Sequence, residues 1–302
     1  MTPAFDLSVF NAFTGPIILK ALIVGVLTSV CASILGVPLV LKRYSMIGDG
    51  LSHTGFFALA LASLFGVAAK NELFFTMPVV VFAAVVLLLI SESGRIKGDA
   101  AVAMISTGAV AVGYLIFNLS GKGTADVCSS MFGANISKLD MSDVWISSAL
   151  AAGVILVFIL LYPRIFAFTF DPSFARSTGA PVKLLGVLRA VLTAVTIVVG
   201  MKMIGAIIIS AVIVFPAMTA MAICKHFKKV IALSAAFAVV NFILGLFIAS
   251  TLVFRMPDGS VRGLYTGPCI VALNGLSLLT VTCVRKIADA SAKRRAKRAE
   301  QL

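Results

Sequence analysis

Nine apolar runs, each long enough to cross a bilayer, follow one another along the 302 residues, separated by short polar breaks. They predict membrane helices over Ile17–Leu41, Met46–Ala68, Phe74–Ile90, Ala100–Leu119, Val144–Tyr162, Leu184–Gly200, Met203–Ile223, Val230–Phe254 and Thr266–Val284. The break at Gly200–Met203 is the thinnest. Read as a kink, it reduces nine spans to eight and moves the N-terminus to the other side. The expected fold is all-α, a polytopic membrane helix bundle of about eight or nine helices. No linker divides it, so residues 1–302 are expected to form a single transmembrane domain, with a long polar-side loop at 163–183 and a basic tail at 286–302.

The breaks are unequal. Lys42–Arg43, the Glu92–Asp99 segment with Arg95 and Lys97, the stretch with Arg164, Arg176 and Lys183, Lys225–Lys229 and the tail are basic. All fall on one side if nine spans alternate. The positive-inside rule makes that side cytoplasmic and puts the C-terminus there. Arg255 and Arg262 dissent on the opposite side.

Composition agrees. The chain is 60% hydrophobic and 12% charged, with a mean hydropathy of +1.10. Soluble domains carry about 25% charged residues. The net charge of +13 lies in loops and tail and gives no support to nucleic-acid binding. The lipid bilayer is the expected surrounding, in a plasma or inner membrane. Five cysteines, an odd number without a CxxC pair, imply neither a disulfide framework nor a zinc ribbon. The first residues lack a basic segment ahead of an apolar core, so no cleavable signal peptide is expected.

Enzyme chemistry is not apparent. The chain has two histidines, no HExxH and no serine elbow. Ser120–Gly123 reads SGKG, which lacks the spacing and the following Ser or Thr of a phosphate loop. This chain is therefore not expected to hydrolyse ATP itself, and no permanently bound cofactor is expected.

Asp49 and His53 stand out at the head of the second run. On a helix, residues four apart share a face, and ionisable groups in a span are costly and face a bundle interior or a water path. One reading has Asp49 capping the helix and His53 packed. The other makes them a carboxylate–imidazole ligand pair for Zn²⁺, Mn²⁺ or Fe²⁺. Lys202 is expected to reach the outer surface, Asp99 to cap a helix and His226 to be solvated. Asn118, Asn241 and Asn274 are expected to need partners in the bundle.

KRYSMIGDGLSHTGFFALALA resembles the signature segment of the metal-type ABC transporter permeases, which include ZnuB-type zinc permeases and manganese and iron permeases; Arg43, Gly48, Asp49, Ser52 and His53 match. Thr54 and Phe56–Phe57 depart from it. FDPSFARSTGAPVKLLGVL is similar to the family's loop after the fifth span, with Phe170, Asp171, Pro172, Ala175, Gly179 and Pro181 matching. VVGMKMIGAIIISAVIVFPAMTA is similar to its small-residue helix, through Gly200, Gly205, Pro216, Ala217 and Ala220.

The resemblance implies the membrane subunit of an importer of the vitamin B12 type. Its implied partners are a second permease copy in a homodimer, cytosolic ABC ATPase subunits and an extracytoplasmic metal-binding protein. It implies that Asp49 and His53 hold the transported metal, zinc favoured. It also makes Phe170, Asp171, Pro172, Ala175, Gly179 and Pro181 the segment that meets the ATPase. The competing expectation is a proton-coupled secondary transporter that works through Asp49 and His53 without an ATPase.

Overall fold

The computed structural model describes residues 2–5, 16–67, 71–92, 98–121, 139–255 and 261–299. Within them, strand β1 (Thr2–Phe5) precedes α1 (Pro16–Leu41), α2 (Ile47–Leu64), α3 (Glu72–Glu92), α4 (Gly98–Leu119) and α5 (Met141–Leu160). Two short helices follow, α6 (Tyr162–Phe170) and α7 (Pro172–Ser177). Then come α8 (Val182–Met203), α9 (Ala206–Ile223), α10 (Phe227–Thr251), strands β2 (Leu252–Arg255) and β3 (Val261–Gly263), and α11 (Thr266–Ala299).

The architecture is a membrane helix bundle. Eight of the described helices are long and apolar enough to cross a bilayer. The 18-residue α2 falls short because Asp49, Ser52, His53 and Thr54 occupy its first half. It nonetheless packs among α3, α4, α8 and α9. Helices α1, α8 and α9 make the centre; their spans are the most buried, whereas α4, α5 and α11 present mostly outward faces.

The break near Gly200 is a reversal. A Cβ on Gly200 would lie 2.5 Å from Ile209 Cδ1. Residues nine apart in one helix sit roughly 13 Å apart, so the chain doubles back. Gly205 makes the turn at φ 115°, a backbone conformation that a side chain would strain.

Strand pairing fixes the parity. β1 pairs antiparallel with β2, Thr2 opposite Arg255, and β2 with β3. The N-terminal strand therefore lies on the same face as the α10–α11 connection. With the reversal at Gly205, that requires an even number of crossings between them. The eight helices α1–α5 and α8–α10 supply it only if α2 crosses too. Two contacts mark the opposite face. Lys42 at the end of α1 meets Phe168 of α6, and Arg285 Nη1 donates to Ala222 O at the end of α9, 2.6 Å away.

Several boundaries differ from expectation. The eighth run ends as helix at Thr251, and Leu252–Arg255 turn extended to join the sheet. The segment after α5 is not a loop but largely helical, because Pro163 and Pro172 each sit in the first turn of a short helix, where a missing N–H costs nothing. The last helix does not stop at Val284 but runs on to Ala299. Asn241 Nδ2 donates to Asn274 Oδ1 at 3.0 Å and to Ser277 Oγ at 3.1 Å, tying α10 to α11. Asn118 is exposed and has no need of a bundle partner. His226 is exposed, as expected. The Asp99 side chain and residues 122–138 lie outside the described part.

Candidate metal pathway and coupling segment

Three glycines seat the head of α2. A Cβ on Gly48 would press on Ile213 of α9, on Gly50 on Val102 of α4, and on Gly55 on Met201 of α8. Their absence lets three helices close around the first turns. Leu51, Ser52, Thr54 and Phe56 are buried by this packing, and the Ser52 and Thr54 hydroxyls donate back to the carbonyls of Asp49 and Gly50.

Asp49 is left on the open side. It sits in the first turn, where a negative charge suits the helix dipole. Its carboxylate does not turn back to cap the helix but meets His53, with Oδ1 3.3 Å from Nε2. The Asp49 side chain is 44% exposed and that of His53 17%. Asp49 lines a groove of about 270 Å³ with Ser45, Ile207, Ser210, Ala211, Val214, Phe215 and Val271, between α2, α9 and α11. Pairs of donors about 2.05 Å from one tetrahedral ion lie roughly 3.3 Å apart. The 3.3 Å between Nε2 and Oδ1 therefore matches the spacing of two donors to one divalent ion. Among the described residues, no group of three His, Cys, Asp or Glu side chains is close enough to hold an ion. His53 Nδ1 is buried without a hydrogen-bond partner.

The other matched segment is built by local rules. Asp171 caps α7: its Oδ1 accepts from Ser173 N at 2.9 Å, Phe174 N at 3.0 Å and Ser173 Oγ at 2.9 Å. Pro172 opens the helix, and Gly179 leaves it at φ 80°. Pro181 is the residue before α8. Ala175 is fully buried with Phe168, Val182 and Leu185. Phe170 and Phe174 are more than half exposed. Tyr162, Phe166 and Phe170 gather around Phe227 at the start of α10, meeting its ring tilted or edge-on. Asp171–Pro181 is thus a rigid knob with an aromatic tip on the face where α1 ends.

The backbone N–H of Phe174, with the Ser173 hydroxyl and N–H, holds the Asp171 carboxyl below its ordinary range. Its folded pKa is depressed, so the cap is fully present above the ordinary carboxylate pKa and is lost as pH falls through the lowered value. Asp171→Ala is expected to fray α7 and expose 174–178 to protease, with the cleavage rate rising several-fold at neutral pH. Wild-type protein should show the same only in strong acid. Equal cleavage of the two at pH 7 would show that the cap does not hold the knob.

The ABC 3 transport family matches residues 15–285. The chain belongs to this family. It is 29% identical over 264 residues, 87% of this chain and 84% of the relative, to the chelated iron transport system membrane protein YfeD of Yersinia pestis. It is 27% identical over 231 residues, 76% of this chain and 77% of the relative, to the manganese transport system membrane protein MntC of Halalkalibacterium halodurans. In the solved structure of PsaBC from Streptococcus pneumoniae with Fab, one chain shares the fold. The TM-score is 0.75 at 24% identity, covering 91% of this chain and 94% of that one. The ABC 3 chain is accordingly a multi-pass membrane protein.

Sequence reasoning passed over Arg189. It lies in the eighth position of α8 and is buried at 9% exposure. A single arginine inside an apolar run was the available signal. Lys202 falls in the last turn of α8, half-buried.

Proposed function

We propose that this chain is the membrane-spanning permease of an ATP-binding-cassette importer that moves a divalent transition metal. The observation that carries the reading is the Asp49–His53 pair at the head of α2, with Asp49 lining a groove against α9. Membership of the ABC 3 family supports the ATP-driven class, and the names of the relatives support manganese or iron as cargo. Zinc, favoured by the GDGLSH resemblance, finds no counterpart in those names.

Two donors per chain suit passage better than storage, and a second copy of the chain or water completes the shell. Among the described residues, His53 Nδ1 has no hydrogen-bond partner that would lock the ring in place, as an outer hydrogen bond does in a storage site. ATP hydrolysis belongs to separate cytosolic subunits, which meet the aromatic knob at Phe170–Pro181. An extracytoplasmic metal-binding protein delivers the ion. The chain forms one permease domain, with its basic loops and C-terminus in the cytoplasm.

Binding-protein docking puts the ion between the two copies. Asp49 and His53 hold it briefly, and ATPase closure drives the knobs and opens the groove inward. Uptake of Mn²⁺, Fe²⁺ and Zn²⁺ in competition, by cells carrying the permease and its partners, tests this. ATP-dependent uptake of Mn²⁺ or Fe²⁺, absent with a catalytically dead ATPase, is expected. Uptake that survives the dead ATPase and follows a pH gradient would establish the secondary-transporter class instead.

A further inference from the structure

Arg189 carries a charge inside the bundle that neither the metal pair nor the knob accounts for. It lies about 10 Å along α8 from the basic face. Its Cζ is 5.1 Å from the Phe168 ring centroid and 5.8 Å from the Tyr44 ring centroid. Lys42 Nζ sits over the same Phe168 ring at 3.5 Å. All three distances lie within the ~6 Å range of cation–π attraction, which strengthens where water is excluded. Phe168 is 4% exposed.

The members of this stack belong to different machines. Phe168 lies three residues before the Asp171 cap and shares a buried cluster with Ala175, the core residue of the knob. Tyr44 lies five residues before Asp49, in the linker that leads from α1 into α2. Its N–H donates to Leu39 O at 2.9 Å, and its carbonyl accepts from Ile47 N at 3.2 Å, so the backbone that carries the ring is tied to both helix ends. Arg43 holds a left-handed φ of 62°, the only positive φ among the described non-glycine residues. Such a conformation is uncommon for a residue with a side chain and is held in place by its surroundings, so it marks a joint in the linker.

We propose that Arg189 is a positioning residue which, through the rings of Phe168 and Tyr44, couples the cytoplasmic knob to the metal-bearing head of α2. Displacement of α7 moves Phe168. The two cations on that ring, Lys42 in the linker and Arg189 in α8, follow it. Arg189 also faces Tyr44, so the 42–46 linker turns about Arg43 and shifts Asp49 against the α9 wall of the groove. An ordinary anchoring role would need only bulk at 168 and 44. A relay needs a ring face.

This inference rests on the ATP-driven reading above. The test is metal transported per ATP hydrolysed, in liposomes holding the permease with its ATPase and binding protein, with Mn²⁺, Fe²⁺ and Zn²⁺ each supplied as tracer. Phe168→Leu is expected to lower that ratio at least tenfold while hydrolysis stays within twofold of wild type. Phe168→Trp, which keeps a ring face, is expected to stay within threefold of the wild-type ratio. Tyr44→Leu should reproduce the loss and decides the matter if Phe168→Leu does not accumulate. An unchanged ratio in the leucine variants, or equal loss in Phe168→Leu and Phe168→Trp, overturns the relay alone. Wild-type uptake that ignores ATP overturns the relay together with the reading beneath it.

Discussion

Asp49→Asn and His53→Ala are each expected to cut metal uptake by about 50-fold or more, with the permease still inserted and still bound to its ATPase. The magnitude follows from ligand number. Of two protein donors, removing one leaves a single contact, and outer-shell losses alone typically cost 10–100-fold in metal affinity. Asp49→Asn is nearly isosteric and keeps a hydrogen-bonding partner for His53 Nε2 across the 3.3 Å gap. It removes the anion without opening a hole. His53→Ala removes the imidazole from a position that is 17% exposed, so its packing cost is partial. If the pair were only a helix-head contact, both variants would lower stability slightly and spare transport. Radiotracer uptake alongside membrane quantity separates the cases, and normal uptake in both variants would remove Asp49 and His53 from the pathway.

The pair was legible because cost makes it visible. A carboxylate and an imidazole four residues apart in an apolar run need a common reason, and helical spacing puts them together. The groove opposite them was not legible. Its wall of Ile207, Ser210, Ala211 and Val214 comes from α9, far along the chain, and periodicity within one run says nothing of which neighbour faces it. The same limit hid Arg189. Its meaning depends on Phe168 and Tyr44, which the fold brings to it from two other elements. Among boundaries, apolarity marks where a helix can lie in lipid, not where it stops. Leu252–Phe254 are as apolar as the helix before them, yet pairing with Pro3–Phe5 claims their backbone. Residues 285–299 are too polar for a span, yet Lys, Arg and Ala are good helix formers and α11 simply continues. The Gly200–Met203 break could be read either way because one glycine and one lysine between apolar runs suit both a kink and a reversal. The approach of Gly200 to Ile209 decides it.

Gly36→Ala is expected to be the most damaging single methyl in the bundle. A Cβ at Gly36 would collide with the carbonyl oxygen of Ile213, where α1 crosses α9. Both helices are central and largely buried. A side chain in the way rotates aside, but a backbone carbonyl moves only with its helix. Overpacking costs about 1–3 kcal/mol in well-packed cores, and a backbone obstacle belongs at the upper end. For a chain of this size that lowers the melting midpoint by roughly 5 °C. Two neighbouring cases calibrate the effect. At Gly48 the added carbon would lie 3.3 Å from Ile213 Cδ1, a terminal methyl that can yield, so Gly48→Ala should cost much less. At Gly275 nothing lies within 4 Å, so Gly275→Ala should be neutral. Thermal unfolding of the three purified variants in one detergent measures the order. A Gly36→Ala protein as stable as Gly275→Ala would mean that α1 and α9 do not cross backbone to backbone. The consequence reaches the site as well. Ile213 touches the positions of both Gly36 and Gly48, and Gly48 adjoins Asp49. Pushing α9 away at Ile213 therefore moves Ser210, Ala211 and Val214 relative to the carboxylate, and the surviving Gly36→Ala protein should transport less metal per molecule than Gly48→Ala.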